Sequence, residues 1–137
     1  MSVAARKIAT LMRCVERARS EHAAAGAAFR TDYTRQDAAL INVTRACEAA
    51  IDLANMLIRK HRLGVPAESR ESFALLERAG IIPPELSARL QSMVGFRNIA
   101  IHQYQNLDLD IVETVIRERL DDLIALAEAV RPRLGEG

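Results

Sequence analysis

Hydrophobic residues recur along this chain at three- and four-residue intervals almost from end to end, the spacing of helices that bury one face. Val3, Ile8, Leu11, Met12 and Val15 predict a first helix over about Val3–Ala24. Gly26 and the polar run Arg30–Arg35 interrupt it. A longer helix is expected from Gln36 to Leu63, stopped by Gly64-Val65-Pro66 through the usual order of Gly, then Pro. Leu40, Ile41, Val43, Ala46, Cys47, Ala50, Ile51, Leu53, Ala54, Leu57 and Ile58 cover more than one face of it, so this helix is central or shared with a second subunit. Ser69 is the expected N-cap of a short helix through Ala79, closed by Gly80. Pro83-Pro84-Glu85 opens a fourth helix that runs to His102. Asp110 with Glu113 resembles a capping box for a last helix ending near Pro132. No strand-like alternation or internal repeat interrupts the pattern. The expectation is one all-α domain over residues 1–137, an up-and-down bundle of four long helices and one short one.

Composition narrows the function classes. With 137 residues the chain can bury a core of its own, and an aliphatic one, since it has five aromatic side chains and no Trp. The formal net charge of +1 excludes capture of nucleic acid by bulk charge, so any RNA contact needs a local patch. DNA and membranes are not expected partners: no apolar run is of membrane-spanning length, and the N-terminus lacks a signal-type core. Cys14 and Cys47 have no metal-like or disulfide-framework spacing and are expected as buried reduced thiols of a cytoplasmic protein. His22 and His61 lack a second ligand at zinc-like spacing, so no metal site is expected.

One stretch exceeds what a bundle needs: Arg97-Asn98-Ile99-Ala100-Ile101-His102-Gln103-Tyr104. At about 100° per residue, Arg97 and Tyr104 share a face if the helix persists. Arg97 and His102 lie about 140° apart, and converge only where the helix ends or the Arg reaches round. These types suit RNA cleavage at the 2′-hydroxyl. His moves protons near neutral pH, Arg neutralises charge at phosphorus, Asn98 can orient phosphate or imidazole, and the Tyr104 hydroxyl can donate to phosphate. Taken alone, the same residues also fit a His at a helix C-terminus among ordinary surface groups. On the second helix, Asn42, Arg45, Glu48, Asp52, Asn55 and Arg59 form a polar strip. Two readings stand for it: Glu48 or Asp52 holds Arg97 or His102 in place, or the strip is a solvated face.

The ordered set of segments resembles the HEPN proteins of the HepT type. The Arg-x4-His-x-Tyr signature ends the penultimate long helix. Gln36-Asp37-Ala38, Arg45–Asp52, Ser69–Leu76, Met93–Asn98 and Leu107–Asp110 extend the resemblance from about Thr34 to Asp122. It implies a homodimer in which two Arg-His motifs meet as a metal-independent endoribonuclease, the toxin of a two-gene pair. Arg97 and His102 would be catalytic. Its antitoxin would be a nucleotidyltransferase of the MntA type that uses ATP to place AMP on Tyr104; the chain itself needs no cofactor. The alternative is a non-catalytic helical partner that docks on such a nucleotidyltransferase and helps present its substrate.

Overall fold

The computed structural model describes residues 2–135, and among these there is no strand. Helix α1 spans Val3–Ala25, α2 Tyr33–His61, α3 Ser69–Arg78 and α4 Pro84–His102. The last rod comprises α5, Leu109–Thr114, a π-helical turn, Val115–Arg119, and α6, Leu120–Leu134. The predicted bundle of four long rods and one short helix is therefore the observed architecture. No helix of the described residues is long and apolar enough to cross a membrane.

Helix α2 is the centre, with α1, α3, α4 and α6 packed around it. Thirteen of its residues are buried, including the small Ala39, Ala46, Ala50 and Ala54. Small side chains let neighbouring helices approach on several sides, while Val43, Leu53, Leu57 and Ile58 fill the space between. Cys14 and Cys47 are both buried. Ion pairs tie the periphery: Arg89 on α4 reaches Asp122 on α6 at 2.9 Å, and Arg19 on α1 reaches Asp121 at 2.7 Å.

Several boundaries differ from the sequence expectation for local reasons. Asp32 accepts a hydrogen bond from the Arg35 amide, which starts α2 at Tyr33 instead of Gln36. At its other end, Arg62 adopts the left-handed conformation (φ 53°), and the Leu63 amide donates to Ile58 O at 3.0 Å. The helix thus stops at His61, two residues before the expected Leu63. Ser69 is the first residue of α3, not its cap; the Glu71 carboxylate accepts from the Ala67 amide there at 2.9 Å. Gly80 (φ 75°) closes α3 as expected, with the Ile81 amide donating to Leu76 O. Asp108, not Asp110, caps the last rod by accepting from the Asp110 amide at 2.8 Å. Glu113 makes no capping box. It faces α1, where His22 Nε2 donates to it at 2.7 Å and Arg30 Nε pairs with it at 3.3 Å. Pro132 lies inside α6 two residues before its end, where few helical hydrogen bonds remain to be lost.

Candidate active site along the α2–α4 groove

The end of α4 is set by its sequence. Ile99, Ala100 and Ile101 carry the helix to His102, and the Gln103 amide still donates to Ile99 O at 2.8 Å. Gln103 then leaves helical geometry (φ −135°, ψ 41°), and Tyr104–Asn106 form a single 3-10 turn. The α-helix therefore does not carry Arg97 and Tyr104 onto one face; the break sends Tyr104 elsewhere.

Both residues reach α2. Arg97 Nη1 donates to Glu48 Oε1, and the Tyr104 hydroxyl donates to Asp37 Oδ1. Asp37 and Glu48 are eleven residues apart, close to three full turns, so they share one stripe of α2 about 16 Å apart. Between them runs a groove. Its upper part is lined by Asp37, Leu40, Ile41 and Thr44 of α2 with Ala100, Ile101 and Tyr104. Its lower part is lined by Thr44, Arg45, Glu48 and Asp52 with Lys7 of α1 and Ile101. Thr44 and Ile101 line both parts.

The Arg97 side chain is only 16% exposed, and its Nε is buried without a hydrogen-bond partner. Behind it lies Cys47, whose thiol is pushed up to about 12 by burial, against the opposing pull of the Arg97 charge. That thiol stays protonated and is no nucleophile. The Tyr104 phenol is held above its ordinary pKa, first by its hydrogen bond to Asp37 and then by partial burial.

Of the residues singled out from sequence, Arg97 and Glu48 are brought together. Asp52 is not part of that contact: it pairs with Lys7 of α1 at 3.0 Å, one helix over. The rest of the polar strip disperses too. Asn42 is buried and donates to Ala38 O, while Asn55 accepts from Ser72. Asn98 and His102 are exposed near the end of α4. His102 projects about 140° round the helix from Arg97, so one chain does not place its imidazole over its guanidinium. Among the described residues no cluster of metal-ligating side chains occurs. Sequence reasoning gave Asp37 no role and missed it as the Tyr104 partner. Its signal was available: Gln36-Asp37-Ala38 is one of the segments that carry the resemblance to the HepT type.

A helical bundle with an Arg-x4-His-x-Tyr helix end folded against the central helix defines a HEPN-type domain. The family model described as "Ribonuclease HepT-like" matches residues 9–130. The chain is 43% identical over 125 residues to the mRNA nuclease HepT of Shewanella oneidensis, covering 91% of this chain and 93% of that protein. It is 30% identical over 97 residues to a putative RNase of Archaeoglobus fulgidus, covering 71% and 72%. Among solved structures, the tri-AMPylated HEPN toxin of Shewanella oneidensis in complex with MNT antitoxin superposes with a TM-score of 0.90 at 41% identity, over 96% of this chain and 99% of that one. A toxin–antitoxin structure with AMP-PNP superposes with a TM-score of 0.91 at 40% identity over the same shares. The chain belongs to the HepT-like ribonuclease family.

Proposed function

We propose that this chain is a cytoplasmic toxin that cleaves RNA as a homodimer, without metal, through Arg97 and His102. The observation that carries the reading is the Arg97–Glu48 contact: a nearly buried guanidinium held in place by a carboxylate, on the same helix end that carries His102. In the reaction, a 2′-hydroxyl attacks the adjacent phosphorus and the 5′-oxygen leaves. One imidazole takes the proton from the attacking oxygen, a second gives one to the leaving oxygen, and the guanidinium offsets charge on the phosphoryl oxygens. One chain has a single His102, turned away from its own Arg97, so two chains supply the complement. Ile41 of α2 and Ile101 of α4 line one cleft and are 48% and 50% exposed, an apolar patch suited to a two-fold contact.

Regulation follows from Tyr104, which is 49% exposed at the mouth of the groove. The Shewanella oneidensis relative is tri-AMPylated and bound to MNT antitoxin. We assign Tyr104 as the acceptor of AMP here, transferred from ATP by a nucleotidyltransferase antitoxin. The added phosphate and nucleoside obstruct RNA and weaken the local positive field. The test is cleavage of RNA in excess EDTA by the purified protein, with His102→Ala as control. Loss of cleavage on chelation and its return with magnesium would refute the metal-independent mechanism. Tight binding to the antitoxin with no gain in mass would refute modification and favour simple docking.

A further inference from the structure

Among the described residues, Asp37 is the only ionisable one besides Tyr104 itself in the two clefts that Tyr104 lines. The remaining lining is Leu40, Ile41, Thr44, Ala100 and Ile101 on one side. On the other it is Gln36, Leu40, Leu107, Leu109 and Val112. The phenol points its proton at this carboxylate, and the residue is half exposed. We propose that Asp37 presents Tyr104 for adenylyl transfer: it holds the hydroxyl in place and takes its proton as the oxygen bonds to phosphorus. This rests on the reading of Tyr104 as the AMP acceptor.

A neutral phenol is a weak nucleophile, and one hydrogen-bonded to an anion is harder still to ionise beforehand. The proton must therefore move during attack rather than ahead of it. In that step a lone pair of the Tyr104 oxygen forms the new bond to the α-phosphorus of ATP. The bond from that phosphorus to the bridging oxygen breaks, and pyrophosphate departs with its electrons. The phenolic proton passes to Asp37, which later releases it to water. Protein kinases use an Asp against a substrate hydroxyl in the same way, except that the enzyme supplies theirs. Here the modified protein supplies its own.

Two consequences separate this role from simple packing. Once esterified, Tyr104 has no proton to donate, and its phosphodiester carries the same charge as Asp37, so the modified side chain must leave the carboxylate. Asp37 thus governs the first addition alone.

The experiment follows intact mass over time for the chain mixed with ATP, magnesium and the nucleotidyltransferase encoded beside it, comparing wild type with Asp37→Asn and Asp37→Glu. Asn keeps an acceptor oxygen in place but cannot take the proton. The first AMP is expected to appear at least about 100-fold more slowly in Asp37→Asn, with most of the rate retained in Asp37→Glu. A second measurement needs no partner. The chain has two tyrosines and no Trp, so tyrosinate absorbance on a Tyr33→Phe background reports Tyr104 alone. Its titration should lie above the ordinary phenol range and fall back in Asp37→Asn. Equal rates of first addition in wild type and Asp37→Asn would overturn the role of Asp37 while leaving Tyr104 as the acceptor. A wild type that gains no AMP would overturn both.

Discussion

Arg97 and Glu48 meet across the α2–α4 groove, with the buried thiol of Cys47 next to them. The contact does two things. It fixes a long, otherwise mobile side chain, and it shields a positive charge that would be costly to hold so deeply without a partner. A guanidinium already ordered loses less conformational freedom when phosphate arrives.

Removing either catalytic group should abolish cleavage and spare the fold. Arg97→Ala and His102→Ala are each expected to lower the rate of RNA cleavage by at least about 100-fold. His102 is exposed, so its truncation opens no cavity in the aliphatic core. Circular dichroism should overlay with wild type. Undiminished cleavage by both variants would show the motif to be structural.

Glu48 acts through Arg97, and its loss should be milder. Glu48→Gln keeps an acceptor but removes the charge, and is expected to reduce cleavage by about 10-fold, short of the Arg97→Ala effect. In the double variant, Glu48→Gln with Arg97→Ala, the two losses should not add, because both remove the same contact. Additive losses would place Glu48 in a separate role.

The exposed Ile41 lies on α2 beside Ile101 of α4. Ile41→Glu puts a charge into the apolar patch and should shift light scattering towards a monomer, with cleavage lost in parallel. A dimer that persists at low concentration would move the two-fold contact to another face.

Glu113 sets an acid limit on stability. Its pKa is lowered, chiefly by the hydrogen bond from His22 and then by the charges of Arg30 and Arg117. A carboxylate lowered in the folded state contributes stability that is complete above its unfolded value and disappears as pH falls through the folded value. The melting temperature should therefore fall as pH drops through and below the ordinary glutamate range. Glu113→Gln should be less stable at neutral pH and show a flatter acid limb. Parallel acid limbs would assign the loss to other carboxylates.

Arg62 carries the left-handed turn after α2 without being glycine. A side chain with a Cβ costs roughly 1–2 kcal/mol in that conformation, against roughly 0.5–1 kcal/mol of extra chain entropy for glycine. Arg62→Gly should thus stabilise the fold by up to about 1 kcal/mol in urea denaturation. A destabilised variant would mean that the Arg62 side chain contributes contacts that outweigh the strain.

Periodicity alone was enough for the helices, because a 3.6-residue repeat of apolar positions is a local property that any fold of the chain must bury. It placed α4 between the Pro83-Pro84-Glu85 opening and the region of His102, and identified α2 as the element apolar on too many sides for a surface helix. Arg97, His102 and Tyr104 were legible as one segment for the same reason: they lie within eight consecutive residues. What lay outside that reach were contacts between distant parts of the chain. Asp37 and Tyr104 are 67 positions apart, and only the helix break at Gln103 brings the phenol to α2. Glu48 and Asp52 are one turn apart and equivalent by pattern, yet the first meets Arg97 while the second meets Lys7. A helix turns about 100° per residue, so four residues leave a 40° difference in direction. Between two neighbouring helices, that angle decides which one each carboxylate faces, and only the packing of α1 and α4 around α2 settles it.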